Sequence, residues 1–345
     1  VNTGEAVFAM SRPTPQDIQV RPATARDYEQ VMSISEGVYS GVDYLPVRYH
    51  EWLEDPKRRM FLAKFDGRVV GFESFVVVDA GVTAVLQGLR VSPRMRGRGV
   101  AGIMQQTCID NLQSNYPDVT RIRLTRLEEP TPSMLSKYRM LHSKAVVSVI
   151  LPHDQLDHAV KLLKHRVQSA YGRRPLVALT PEEVLSVFEN SCTAEGLLPK
   201  GLLIQGWLPL SIHRSNLELL LQRGVVWFHS EHSEETSAKT SKSRNTSDAI
   251  SPSSEFLSLG TPPYSVPLGD GMHRFDIDLF GTDPIAAEAH VLHQLIEGVR
   301  LLPTGGGVIC FLYAEKSLEA ELTHFCQGIT PFPLWNKQLV LEQDI

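Results

Sequence analysis

The 345-residue chain holds only four cysteines, Cys108, Cys192, Cys310 and Cys326, far apart and with no Cys-x-x-Cys pair. That excludes a disulfide framework and a zinc knuckle and fits a reducing compartment. No stretch reaches the roughly 18 apolar residues that a membrane span requires, and no basic segment precedes an apolar core near the N-terminus. A soluble cytoplasmic protein is expected, with 1–17 a loose tail containing Pro13 and Pro15. An excess of basic residues is missing too: the formal net charge is −5, which argues against a general nucleic-acid binder. There is no Gly-x-Ser-x-Gly elbow and no cysteine in a nucleophile context. His290 and His293 stand three apart on a helical pattern, yet no carboxylate or thiolate accompanies them at a known ligand spacing, so helix packing is expected rather than a metal. His229 and His232 read as solvated.

What is present is enough chain for two domains, each able to bury a core. Charge is uneven: residues 1–150 carry 19 Lys/Arg against 16 Asp/Glu, and the remainder 15 against 23, so the first half is the better host for an anion. The chain is organised around Leu86 to Asn115. A strand ends at Val91, a turn marked by Pro93 and three arginines follows, and Gly97 and Gly99 open a helix with Val100, Ile103, Met104, Cys108 and Leu112 on one face. The first N–H groups of a helix lack intrahelical partners and sit at the positive end of its dipole, so small residues there let a diphosphate approach closely. An ordinary strand-to-helix turn with exposed arginines is the plainer reading of the same residues.

Upstream, Gln19 to Ala23 reads as a strand, Thr24 as an N-cap, and Asp27 as the start of a helix with Val31, Met32 and Ile34. The aromatic stretch from Gly37 to Pro46 is either a packed loop anchored by Tyr39 and Tyr44 or the lining of a site. A short helix follows near Arg48 to Glu54, then a hairpin, Met60–Lys64 and Val69–Val78, turning at Asp66-Gly67. Glu73 lies on its second strand among large apolar groups on both faces, so its carboxylate is a satisfied buried group or part of a pocket. Val119 to Arg126 alternates as a strand, Ser133 to Leu141 reads as a helix and Lys144 to Leu151 as a strand. A bridging helix is expected near Leu156 to Ser169, after which the order of elements repeats: strands at Leu176–Leu179, Leu202–Trp207, Gly224–His229 and His273–Phe280, a helix Pro284–Leu302, a strand Gly307–Tyr313, a helix Ser317–Phe325 and a last strand Gln338–Leu341. Glu231 to Ser254 has no apolar periodicity and reads as a mobile insertion.

Arg96-Gly97-Arg98-Gly99-Val100-Ala101 resembles the Arg/Gln-x-x-Gly-x-Gly/Ala pattern of the GNAT superfamily of acyl-CoA-dependent N-acyltransferases, in which this loop cradles the coenzyme A diphosphate. The resemblance implies an α/β class with a mixed α+β sheet, and a GNAT fold followed by a degenerate second GNAT-like domain. The expected divisions are 1–17 tail, 18–151 catalytic acetyl-CoA-binding domain, 152–174 linker helix, and 175–345 degenerate domain with a mobile insertion at 231–254. The second half is called degenerate because Gly-Thr-Asp-Pro, at 281–284, puts an acid and no arginine where the diphosphate would sit.

The same resemblance implies acetyl-CoA as co-substrate without a metal, held by the backbone of Leu89, Arg90 and Val91, by Arg96 to Ala101 (Arg96, Gly97, Arg98, Gly99, Val100, Ala101) and by Ser133. Tyr138, in a segment similar to the family's Leu-Tyr-x-x-Leu-Gly-Phe, would protonate the departing thiolate, and Glu73 would accept the amine proton. Lys137 and His142-Ser143 depart from that pattern.

More narrowly, Tyr39 to Trp52, Phe72-Glu-Ser74, Gly88 to Pro93, Leu124-Thr-Arg126, Lys137-Tyr-Arg139, Ile204 to Trp207 and Asp276 to Gly281 resemble the vertebrate histidine N-acetyltransferase family over nearly the whole chain. This implies acetylation of the α-amine of free L-histidine, with Asp43, Tyr44 and Glu73 as candidates for the imidazole, Arg126 or Arg139 for the carboxylate, and Tyr39 also among the substrate-binding residues. Two segments depart from that family's Asp-Asp-Gln-Leu-Gly-Pro and Gln-Asp-Trp: Leu127-Glu-Glu-Pro-Thr-Pro132 and Gln205-Gly-Trp207. If they touch substrate, a different amino acid is used. The alternatives are a protein or peptide N-acetyltransferase and a non-catalytic acyl-CoA-binding regulator. A small-molecule amine is the expected partner, with neither nucleic acid nor membrane.

Overall fold

The computed structural model describes residues 17–170, 176–189, 196–231 and 255–345. The expected tail apart from Asp17, nearly all of the expected insertion, His232 and Cys192 lie outside the described residues.

The first half runs β1 (Gln19–Pro22), α1 (Tyr28–Ser33), α2 (Leu45–Glu54), β2 (Arg58–Phe65), β3 (Arg68–Val78), β4 (Thr83–Val91), α3 (Val100–Asn115), β5 (Arg121–Arg126), α4 (Pro132–Leu135) and β6 (Arg139–Leu151). The second runs α5 (Leu156–Ala170), α6 (Pro181–Glu189), β7 (Leu202–Gln205), β8 (Leu208–Ser211), α7 (Arg214–Gln222), β9 (Val226–Glu231), β10 (Glu255–Gly260), β11 (Tyr264–Ser265), β12 (Met272–Phe280), α8 (Pro284–Arg300), β13 (Gly307–Ala314), α9 (Glu319–Phe325), β14 (Thr330–Pro331) and β15 (Lys337–Asp344).

Local chemistry sets several of these boundaries. Both the backbone N–H and the hydroxyl of Thr24 donate to the Asp27 carboxylate, capping the first helical turns. Asp66 and Gly67 adopt φ of 49° and 73°, the left-handed pair that matches the twist of a tight hairpin. The helix expected over Ser133–Leu141 is confined to one turn. Tyr138 N–H closes on Met134 O, and from Arg139 the chain pairs with β15 instead, so a long-range ladder overrides local helical spacing. The strand expected at Leu176–Leu179 reduces to an isolated bridge, Ala178 to Phe228. The Leu202–Trp207 strand is the first arm of a separate hairpin, turned at Gly206-Trp207.

The sheet is continuous across both halves, ordered β1-β2-β3-β4-β5-β15-β6-β13-β12-β10-β9. The last strand of the chain, β15, lies between β5 and β6, antiparallel to both, while the far end of β6 pairs with β13. Each half is therefore closed by a strand from the other.

On one face of the first half, Val100, Met104, Cys108 and Leu112 of α3 cover Phe75 and Leu86. On the other, Leu45, Tyr49 and Trp52 of α2 cover Phe72, Met60 and Leu62. Each large side chain buried this way stabilises the fold by about 1.5–3 kcal/mol. At Gly71 of β3 a Cβ would stand 2.8 Å from the Val100 side chain, so only glycine lets α3 lie this close to the sheet.

Candidate active site

The site begins where β4 and β5 part. They run parallel and pair only at Thr83–Val85 against Arg121–Arg123, leaving β4 unpaired on that side from Leu86 to Val91. The equivalent parallel strands of the second half, β12 and β13, stay paired over seven residues, Met272 to Asp278, and open no such gap.

On its other side, β4 carries a bulge against β3. Phe72 pairs with Arg90 but Ser74 pairs with Gln87, so Gly88 and Leu89 together face Glu73. Gly88 has φ of 81°, and a Cβ there would meet Phe72 and Trp52 at 3.2 Å, so the bulge requires glycine. Ser92 N–H turns to Val70 O at 2.9 Å; alternation along the strand then aims the Val91 N–H away from β3, into the gap. The Val91 carbonyl on that side accepts from Arg96 Nε at 3.4 Å.

A cavity of about 230 Å³ passes through the gap. Glu73, Gln105 and Met134 line it toward α3, and Tyr39, Tyr44 and Trp207 toward the opposite face; Leu89 and Arg126 also border it. Glu73 is buried, and its Oε2 has no hydrogen-bond partner among the described residues. Loss of solvation alone pushes its carboxyl well above the usual range, as a base for a protonated amine requires. Burial, with Glu73 and Cys108 nearby, raises the Tyr138 phenol to about 12, so it stays protonated at neutral pH. Tyr138 itself is buried under α3.

At the head of α3, Gly97 and Gly99 both have positive φ, 73° and 85°, and nothing lies within 4 Å of where their Cβ atoms would be. No side chain caps this helix, its first turn has no acid, and no carboxylate pairs with Arg94, Arg96 or Arg98 among the described residues. Val100 and Ala101 thus leave their N–H groups to an incoming anion. The matching helix of the second half, α8, is blocked by its own Asp283, which accepts from Ile285 N at 2.8 Å and Ala286 N at 3.1 Å.

A second cavity of about 90 Å³ shares Tyr44, Gln87 and Trp207 with the first. It lies between α2 and the second half, and Arg58, Arg223, Tyr264 and Asp276 face it. The β7–β8 hairpin brings Trp207 here: Gly206 N donates to Asp278 Oδ2 at 2.6 Å, and Gly206 O accepts from Gln338 Nε2 at 2.7 Å. The Trp207 carbonyl takes Gln87 Nε2 at 3.0 Å, and its ring stacks on Tyr39 with centroids 5.9 Å apart. Asp278 is itself held by Lys144 at 3.0 Å in full burial, and Asp276 by Arg274 at 2.9 Å. Asp278 of β12 thereby ties the hairpin in place over the site in the other half.

The remaining expected site residues are distributed as follows. Asp43 is buried against Arg90 at 2.6 Å, with Tyr39 and Tyr44 flanking that guanidinium, so the Arg90 side chain serves the acceptor-side loop, leaving only its backbone along the gap. Tyr39 and Ser40 both hold left-handed φ, 52° and 51°, a strained pair that aims Tyr39 inward. Arg126 reaches the cavity rim and donates to the Glu128 carbonyl at 2.6 Å. Arg139 lies away from both cavities, pairing with Glu342 and with Asp344 at 2.7 Å. Ser133 is exposed on α4. His290 is enclosed by Ser230 and Ser258 hydroxyls at 3.0 and 2.8 Å, which explains it by packing, as expected. His229 is not solvated as expected: it is half-buried, 4.0 Å from Glu255, because β9 is covered by β10.

Residues 26–134 match the model of the acetyltransferase (GNAT) family, and 173–248 and 240–315 match that of the C-terminal part of histidine N-acetyltransferase. The histidine N-acetyltransferase of Xenopus tropicalis is 35% identical over 328 residues, 94% of each chain. The chain belongs to the histidine N-acetyltransferase family. It is a GNAT-type N-acetyltransferase. Another relative, probable N-acetyltransferase 16 of Homo sapiens, is 34% identical over 333 residues, 94% of this chain and 85% of that one. A solved tandem GNAT protein from the clavulanic acid biosynthesis pathway covers 95% of this chain and 98% of its own at a TM-score of 0.50 and 15% identity, a likeness of fold.

Arg58, Gln87 and Arg223 are not among the site residues expected from the sequence. Arg58 left a trace in the sequence, since it shares a pleat face with Met60 and Leu62, an odd place for a charge. Gln87 sits one residue from the glycine of the bulge, and Arg223 has no sequence signal because the second half delivers it.

Proposed function

We propose that this N-acetyltransferase moves the acetyl group of acetyl-CoA directly to the α-amine of a free amino acid, L-histidine. The observation that carries the reading is the cavity through the β4–β5 gap, with an unpartnered buried Glu73, in a chain 35% identical along 94% of its length to an enzyme named for that substrate.

The residues at the head of α3 suit the diphosphate of coenzyme A: open N–H groups, two glycines without a Cβ, and three arginines with no carboxylate partner among the described residues. When bound, acetyl-CoA supplies the activated acyl group. Glu73 accepts the proton of the incoming amine, directly or through water, and the Val91 N–H steadies charge building on the carbonyl oxygen. Tyr138 gives its proton to the departing sulfur. Tyr39, Tyr44 and Trp207 wall the acceptor side, where the second half closes the groove that a protein substrate would need. A cytoplasmic setting suits the three buried free thiols, Cys108, Cys310 and Cys326.

Incubating the purified protein with acetyl-CoA and each of the twenty amino acids, while following thiol release, tests the reading. Histidine is expected to lead. Release only with peptides supports the protein-acetylating alternative, and no release with any amine supports the regulator.

A further inference from the structure

The smaller cavity contains unbalanced charge. Arg58 is buried, and its guanidinium donates only to neutral groups, Ser74 Oγ at 3.0 Å and Gln87 Oε1 at 2.8 Å. Its Nε has no partner among the described residues, and Trp52 lies flat beneath it, 3.8 Å from the ring centre. Arg223, just beyond α7, faces the same cavity with no ion-pair partner among the described residues. Burial first, and then the facing Arg223, pull Arg58 down to about 9, while Asp55, Tyr44 and Glu51 act in the opposite direction. The neighbouring charges are already used: Arg48 pairs with Glu51 at 2.8 Å, and Asp276 with Arg274 at 2.9 Å. Asp55 acts on Arg58 only at longer range and accepts from Lys57 N at 2.9 Å.

We propose that Arg58 and Arg223, one from each half, clamp the α-carboxylate of the acceptor, so that the enzyme requires a free amino acid and discriminates against amines with no carboxylate beside them. The inference rests on the amino-acid reading above and assigns the carboxylate to these two residues rather than to Arg126 or Arg139. Gln87 connects the clamp to the reacting centre, because it bonds Arg58 and lines both cavities. In an α-amino acid held there the amine lies two bonds from the carboxylate carbon, and Gln87 is one of the residues through which this cavity joins the one that Glu73 lines. A peptide N-terminus offers a neutral amide at that place and leaves both guanidinium groups uncompensated in a buried site, which is costly.

The test compares each amino acid with its own carboxamide, in the wild type and in Arg58→Gln and Arg223→Gln, with histamine as the amine lacking both groups. In the wild type, kcat/KM for the best amino acid should exceed that of its carboxamide by at least about 30-fold, as expected when a buried charge loses its partner. In each variant that ratio should fall toward one, mainly through KM for the acid, while KM for acetyl-CoA is retained. The ratio is internal to each protein, so a partly unfolded Arg58→Gln does not mimic the result, and Arg223→Gln, which breaks no side-chain hydrogen bond among the described residues, repeats it. Equal turnover of acid and carboxamide, turnover only of amines without a carboxylate, no turnover at all, or an unchanged ratio in both variants overturns the clamp. A large ratio led by an amino acid other than histidine upholds the clamp and refutes the histidine reading.

Discussion

Glu73 illustrates at the scale of one residue how stability is given up for chemistry. Its carboxyl is buried, one oxygen is unpartnered, and its ionisation is pushed to higher pH by lost solvation. A base must be unprotonated, so turnover should rise with pH through this elevated ionisation and be lost below it. The linkage runs the other way for folding. A carboxyl whose folded value lies above its unfolded value contributes stability below the unfolded value, and that contribution is lost as pH rises through the folded value. Glu73→Gln should therefore lower kcat by about 10²–10⁴, remove the acidic limb of the pH–rate profile, and unfold at a higher temperature than the wild type in alkaline buffer. Kinetics from pH 5.5 to 9.5 beside thermal melts at the two extremes check both halves. An unchanged profile in the glutamine variant would move the base elsewhere. The sequence put Glu73 on a strand with apolar groups on both faces and left pocket and buried structural group both open; what could not be read from it was the bulge opposite, which depends on pairing.

At the scale of the element, β4 does most to create the site, and its two departures from regularity have different origins. Its separation from β5 follows from their pairing at three residues only, and its bulge from Gly88, whose positive φ and crowded Cβ position admit no side chain without strain. Gly88→Ala should destabilise the protein by about 1–3 kcal/mol and reduce kcat more than KM for acetyl-CoA, because the Val91 N–H and the wall facing Glu73 shift together. Thermal unfolding and steady-state kinetics measure this, and a variant with wild-type turnover and an undiminished melting midpoint would show that the bulge is dispensable. The turn into α3 was legible because its signals are local: glycines, arginines and a helix start within a few residues. The one-turn α4, by contrast, was misread as a longer helix, since its apolar spacing continues after the chain has left to pair with β15.

On the scale of the whole molecule, the repeated order of elements was visible in the sequence, but the exchange of closing strands was not, because nothing local marks which distant strand a ladder will accept. The exchange joins the halves through polar contacts as well. Arg123 of β5 is buried and divides its guanidinium among Glu342 of β15 at 2.7 Å, Asp79 at 2.8 Å and Ser211 of β8 at 3.0 Å. A chain ending after α5 lacks β15 and β8, which leaves β5 and β6 as separated edges and removes two of the three groups that satisfy Arg123. Breaking one buried pair costs about 3–5 kcal/mol, a large part of the 5–15 kcal/mol that holds an ordinary domain together. Residues 17–170 alone are therefore expected to give no sharp thermal transition by circular dichroism. Co-expression with residues 171–345 as a second chain should restore both the transition and thiol release from acetyl-CoA, since the second fragment supplies β15, the β7–β8 hairpin and Trp207. A soluble, cooperatively melting fragment 17–170 would mean that the first half closes its own sheet, and the hairpin would then be a cover laid on a finished domain rather than part of its construction.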